Sequence, residues 1–273
     1  MSNLNIRQLS YDFEGIDFVW NPQNPAFSYL ANVISFQTIG FEKFICKTVH
    51  EVLPLIEDHM LRAEAEDFAK QEMMHSKGHM THVRGLIGRY PDLQDVFNES
   101  VRDFESKWAA HSTEYRLAYS AIVEGTSLPL YKIIIRHRER LVLPGDARVA
   151  SLLLWHFCEE IEHRSSALKL YNALVGKPFY RLRVFPDVGQ HLAANMMRIA
   201  DRFFRIVPEA AGIDMRQAMA DVPRLDRARM TASLFASQLP FYNPSRGSVP
   251  DYCSIWQERY EAGADMTSKT VLS

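Results

Sequence analysis

The chain has 273 residues, 47% of them hydrophobic and 23% charged, with a net charge of −2 at pH 7. That length can bury a large core in one domain with appendages, and the near-neutral balance without a concentrated basic run gives no reason to propose nucleic acid as a partner. No stretch is long and apolar enough to span a bilayer, the polar start Met1–Glu14 lacks the apolar run of a signal peptide, and Cys46, Cys158 and Cys253 have no C-x-x-C spacing; together these fit a reducing, cytoplasmic compartment.

Residues 1–28 read as an irregular wrap, because Trp20-Asn21-Pro22 and Asn24-Pro25 favour turns. A first helix is expected near 29–56, with the apolar stripe Thr38, Glu42, Ile45, Val49, Val52, Ile56. A second, near 61–88, carries Leu61, Ala65, Phe68, Glu72, His75, His79, His82, Leu86 in the same rhythm. A longer connection through Gly88-Arg89-Tyr90-Pro91-Asp92 leads to helical sequence at 96–140, broken near His111-Ser112, with the stripe Leu117, Ala121, Glu124, Leu128, Tyr131, Ile135. The next helix, 147–175, shows Val149, Leu153, His156, Glu160, His163, Ala167, Leu170 and stops at Gly176-Lys177-Pro178. Further helices are expected near 187–206 and 213–238. The first of these is amphipathic with three arginines (Arg198, Arg202, Arg205) and suits a cover on the bundle better than a membrane or partner contact. Residues 241–273, rich in turn formers, read as an irregular tail, which leaves 29–178 as the core and 179–240 as helices packed on it.

The chemistry lies in an E-x-x-H pair that occurs twice, Glu72/His75 and Glu160/His163, each preceded by a lone Glu on an earlier helix, Glu42 and Glu124. Residues three apart on a helix point the same way, so each pair aims a carboxylate and an imidazole at one point. All six residues interrupt apolar seams. Burying an unpaired carboxylate costs several kcal/mol or more, and the stripes place no Lys or Arg near the acids, so exposed charges or buried ion pairs explain the pattern less well than metal ions do. Hairpin geometry agrees: the midpoint of Glu42 and Glu72 falls at Glu57 beside Pro54, and that of Glu124 and Glu160 at Val142 beside Pro144-Gly145. Two helical hairpins thus bring four carboxylates and two imidazoles to one depth, the inventory of a two-metal carboxylate site in a four-helix bundle.

The segments Ile39–Phe44, Gln71–His79 and Trp155–Arg164 resemble the signatures of a bacterial family described as a predicted metal-dependent hydrolase, itself similar to the ferritin-like dimetal carboxylate proteins. The resemblance spans roughly residues 15–205, with Ile39 standing where the family pattern has proline. It implies an all-α, ferritin-like four-helix bundle with a long crossover and additional C-terminal helices. His156-x-x-x-Glu160-x-x-His163 also resembles the arrangement of diiron arylamine N-oxygenases, which implies His156 as a seventh ligand. His79, His82 and Tyr131 are expected around the ligands or along an access route, with His79 the better candidate for ligation.

Carboxylates and imidazoles without thiolate suit two iron ions, with manganese or a mixed pair as alternatives. The expected division is Glu42, Glu72 and His75 on one ion and Glu124, Glu160, His163 and His156 on the other, bridged by Glu72 and Glu160. Family chemistry then implies activation of O2 and oxidation of a small organic substrate, with an electron donor the sequence does not identify and a homodimer as a candidate assembly. The alternatives are hydrolysis by a two-metal centre and non-catalytic iron binding. Phe41, Leu128, Tyr131 and Trp155 are candidates to shape a substrate pocket, although core packing explains most of them. Helix-interior Gly40 and Gly125, each costing about 1 kcal/mol relative to Ala, suggest room for a ligand or a close helix contact.

Overall fold

The structure, a computed structural model, describes residues 4–273; residues 1–3 of the expected wrap lie outside the described residues. Helix α1 (Pro25–Val52) opens earlier than expected because Asn24-Pro25 is a capping pair: the Asn24 side chain accepts the Phe27 N–H at 2.9 Å and Pro25 occupies the first turn. A short 3-10 turn, Leu53–Leu55, precedes α2 (His59–Arg89), whose first amide groups donate to Asp58. Helices α3 (Leu93–Ala110) and α4 (Thr113–Arg136) are divided at His111-Ser112, as the sequence predicts, with Ser112 capping α4. The single turn α5 (Arg138–Leu141) leads to α6 (Ala147–Glu162), capped by Asp146.

The expected helix 147–175 is interrupted. It ends at Glu162, turns through His163, whose carbonyl accepts the Ser166 N–H at 2.8 Å, and resumes as α7 (Ser166–Leu174). Gly176, at φ 64°, closes α7 with a hydrogen bond back to Tyr171. Helix α8 (Tyr180–Ile206) begins before Pro186 instead of after it, because the carbonyl that proline frees lies near the partly exposed Leu182 and can meet water. Helix α9 (Arg224–Ala236) starts only after Pro223 and is shorter than predicted. The expected irregular tail contains α10 (Asp251–Glu261) and α11 (Lys269–Leu272). Trp256 and Leu272 are fully buried, and the Arg7 guanidinium lies 5.9 Å from the Trp256 ring, so the C-terminus packs against the N-terminal wrap.

Helices α1, α2, α6 and α4 touch in a closed ring. Two apolar clusters fill it, one containing Val33, Phe36, Val83, Leu86, Leu128 and Leu153, the other Ile45, Val49, Phe68, Leu117, Ile122 and Leu170. Every helix of the ring passes from one cluster to the other at its ligand-type residues: α1 around Glu42, α2 between Glu72 and His82, α4 at Glu124, and α6 with its continuation α7 at Glu160–His163. A polar layer therefore divides two hydrophobic cores. The order of the clusters along each helix shows α1 antiparallel to α2, and α4 antiparallel to α6. Helices α2 and α4 run in the same direction, which requires a crossover, and α3 supplies it.

Helix α8 lies across α1, α3 and α4, with Arg198 paired to Asp103 and Arg202 to Glu99, in keeping with the covering role read from its amphipathic sequence. A Cβ at Gly40 would sit 2.6 Å from the Phe104 ring, so this glycine serves the close approach of α1 and α3. Among the described residues no helix is long and apolar enough to cross a membrane.

Candidate metal centre

The polar layer holds Glu42, Glu72, His75, Glu124, His156, Glu160 and His163, all at most 5% exposed. Their donor atoms fall into overlapping groups, each spanning less than 4.8 Å: Glu42, Glu72 and His75; Glu72, Glu124, Glu160 and His163; His75, His156 and Glu160; and Glu42, His79 and His156. Glu42, Glu72, His75, His156 and Glu160 each belong to two of these groups. His156 groups both with Glu160, its expected companion, and with Glu42 and His75 of the other set. Its Nε2 lies 3.0 Å from Glu160 and 3.5 Å from Glu42.

Seven donor atoms in this layer, both oxygens of Glu42 and of Glu72, Oε1 of Glu124, Nδ1 of His75 and Nε2 of His163, are buried without a hydrogen bond. Several approach one another at ion-pair distance, such as His163 Nε2 and Glu72 Oε1 at 3.2 Å, but without hydrogen-bonding alignment. An orphaned buried polar atom costs roughly 1–3 kcal/mol, so seven of them converging on one layer fit a candidate cation site better than a finished polar core.

Each imidazole is fixed by its other nitrogen. His75 Nε2 donates to Glu159 at 2.9 Å, turning Nδ1 into the layer; His163 Nδ1 donates to Gln71 Oε1 at 3.0 Å, turning Nε2 inward. Gln71 and Glu159 immediately precede Glu72 and Glu160, and each reaches across to the histidine of the other E-x-x-H segment. The repeat is thus [QE]-E-x-x-H, reciprocal in space. Arg7, from the N-terminal wrap, bonds Glu159 at 3.0 Å and Glu162 at 2.8 Å, and Glu162 accepts from Gln71 at 3.0 Å. One buried guanidinium thereby supports both orienting side chains. The positional equivalence of Gln71 and Glu159 was available in the sequence; the contribution of Arg7, 64 residues before Gln71, carried no local signal.

A second chain leaves the layer through His156. Its Nδ1 is 2.7 Å from His79 Nε2, His79 Nδ1 is 3.0 Å from Ser35 Oγ, and the same hydroxyl is 3.1 Å from His82 Nδ1. If His156 Nε2 presents its lone pair to the layer, every bond has one direction: His156 donates to His79, His79 to Ser35, Ser35 to His82. His79 then has both nitrogens engaged and belongs to this support, not to the ligand set. His82 ends the chain against Phe13, with ring centroids 5.0 Å apart. Tyr131 is buried beside His156 and stacks on Phe157 at 4.7 Å. Trp155 covers His75, and Phe68 covers His163. Of the other residues offered as pocket walls, Phe41 and Leu128 are likewise core residues.

The electrostatics are those of a concentrated anionic layer. Burial, then the neighbouring carboxylates, hold the carboxyls of Glu42 and Glu124 well above the ordinary range, and burial followed by Glu160 raises Glu72. Burial pushes Glu160 up too, but the pull of His163 and the close approach of the His156 and His75 rings prevail, so it is held well below that range. His75 is pushed up to about 9: burial opposes its charge and is overcome by Glu159 and Glu160. His163 is likewise raised, against burial, by Glu160, Glu124 and Glu72. His156 falls to about 4, through burial and the charge of His75. Without cations the layer shares protons; two divalent ions would balance four ionised carboxylates.

Residues 5–247 match the profile of a family described as "Predicted metal-dependent hydrolase". No curated protein and no solved structure matches the chain.

Proposed function

Because this chain belongs to the predicted metal-dependent hydrolase family, we propose that it is a dinuclear metal enzyme, with hydrolysis as its leading reaction. The observation that carries the proposal is the set of buried, unpartnered donor atoms that four helices deliver to one layer. Glu42, Glu72, His75 and His156 would hold one ion, Glu124, Glu160 and His163 the other, with Glu72 and Glu160 between them. We take residues 29–178 as the metal-binding core and its arrangement as ferritin-like.

When bound, a divalent pair supplies Lewis acidity and a lowered water pKa for hydrolysis, or, as iron, electrons for O2. The chain's residues do the rest. Glu159 and Gln71 keep the lone pairs of His75 and His163 turned inward, and Trp155 and Phe68 keep water from the backs of these rings. The His156–His79–Ser35–His82 series gives the layer a polarisable hydrogen-bonded line into the apolar core.

A second reading, O2-dependent oxidation by an iron pair, is favoured by one observation: His156, Glu160 and His163 all reach the layer, where every donor is carboxylate or imidazole. Assays separate the two. Metal-dependent cleavage of an ester and phosphoester library under anaerobic conditions, lost in Glu160→Ala, supports hydrolysis. O2 uptake with a change in the visible spectrum after anaerobic Fe(II) loading supports oxidation. A protein that takes up no metal refutes the proposal.

A further inference from the structure

A groove of about 760 Å³ opens between α4, α9 and the segment around residues 242–252. Its α4 wall runs Leu128, Pro129, Lys132, and Leu128 is one helical turn beyond Glu124. At 1.5 Å rise per residue, Lys132 stands about 12 Å along the axis from Glu124.

The outer end of the groove is cationic. Among the described residues no carboxylate lies within ion-pair distance of Lys132, whose Nζ would meet a Cβ at Gly247 at 3.0 Å. Arg138 stacks on Tyr252 at 4.2 Å, has no carboxylate partner among the described residues, and keeps a buried Nε without a hydrogen bond. Arg136 and Arg229 also line the groove, but both face Asp226, at 3.6 and 3.8 Å. Burial, reinforced by Arg164, lowers the pKa of Lys132, as expected of an ammonium lacking its counter-ion.

Beyond the groove's lining, α4 meets a buried polar pair. Ser237 and Gln238, at the end of α9, are at most 1% exposed and face Gly125, the neighbour of Glu124: a Cβ there would be 3.4 Å from Ser237 Oγ and 3.5 Å from Gln238 Nε2. Gln238 Oε1 is buried with no partner. Lys132, Arg136, Arg138 and Arg229 stand against Asp226 and Asp251 in this lining, and with the apolar wall at Leu128 and Pro129 the net positive groove has the makeup of a site for an elongated amphipathic anion.

We infer that this groove binds an organic acid, its carboxylate held by Lys132 and Arg138 and its apolar chain lying along Leu128 and Pro129 toward Glu124. The inference that the acid is the substrate rests on the dinuclear reading; binding itself does not. The test is calorimetric titration of the purified full chain with octanoate and with octanol, alongside metal analysis of every variant. Octanoate should bind more tightly than octanol. Lys132→Met should weaken octanoate about tenfold or more, the worth of a charge-assisted hydrogen bond, and leave octanol unchanged, while Lys132→Arg restores octanoate. Arg138→Met should act in the same direction. Equal binding of acid and alcohol, or octanoate binding indifferent to Lys132→Met in a folded variant, overturns the inference. Lys132-dependent binding in a chain that takes up no metal would uphold the acid site and refute the metal reading.

Discussion

The reciprocal bonds Glu159–His75 and Gln71–His163 predict that two buried residues outside the ligand set control the two ions separately. Glu159→Ala removes the acceptor of His75 Nε2, while Arg7 keeps its 2.8 Å bond to Glu162 and is not left as a stranded charge. The loss of one charge-assisted bond should lower fold stability by about 1.5–3 kcal/mol. The loss of imidazole orientation should weaken one metal by about 10–100-fold, or ~1.4–2.7 kcal/mol. Gln71→Ala should do the same for the ion on His163. Titration of apo-protein with Fe(II) or Mn(II) against a competing chelator should give two tight equivalents in the wild type, one in each single variant and none in the double variant. Arg7→Ala, which loosens Glu159 directly and Gln71 through Glu162, should weaken both equivalents less severely. Glu99→Ala, on the surface pair with Arg202, should change neither. If either single variant loses both equivalents together, or if the double variant matches the singles, the imidazoles are not oriented independently and the reasoning fails.

Glu160→Ala, which removes the carboxylate shared between donor groups, should abolish binding of both ions in elemental analysis; retention of two would show that Glu160 is not a bridge. In the metal-free protein, His82 accepts its proton only near pH 4, against about 6.5 when unfolded, so its contribution is full above pH 6.5 and is lost as pH falls toward 4. That loss is on the order of 3 kcal/mol, and denaturant titrations between pH 7 and 4 should show a shallower decline in His82→Gln. His75 acts oppositely: its contribution is present below pH 6.5 and is lost as pH rises through about 9. Gly40→Ala should lower the melting temperature, because overpacking against Phe104 at 2.6 Å costs about 1–3 kcal/mol and outweighs the ~1 kcal/mol gained in helix propensity. Gly88→Ala, whose Cβ meets nothing within 4 Å, should instead raise it by the propensity term.

The ring of helices was legible because its two signals are local. Apolar stripes of helical period located α1, α2, α4 and α6, and the His111-Ser112 break was marked by a capping serine. The errors have local causes as well. Asn24-Pro25 resembles a turn until its side-chain bond to Phe27 makes it a helix start, and the stripe through Ala167 and Leu170 continues across His163 although the backbone does not. The tail from 241 onward looked irregular because Trp256, Cys253 and Leu272 are too sparse to form a stripe, and they gain burial against α6 and the N-terminal wrap, both far earlier in the chain.

Within the candidate metal layer, the limit of the sequence lies between the residues whose donor atoms face the layer and those that orient them. A ligand is confined to the buried seam at one depth, so Glu42, Glu72, His75, Glu124, Glu160 and His163 announce themselves by interrupting it. Gln71 and Glu159 sit one position off the seam, where a polar residue excites no suspicion, and only their equivalent places in the repeat connect them. His156 shows the cost of reasoning along one helix. One turn before Glu160, it is placed by sequence with its own segment, and in the structure it lies 3.0 Å from Glu160 but also 3.5 Å from Glu42 across the layer. Arg7 is the extreme case. The absence of basic residues from the four stripes argued for metal, and the buried guanidinium of Arg7 leaves that argument intact: it binds Glu159 and Glu162, and among the described residues no Lys or Arg pairs with the four carboxylates of the layer.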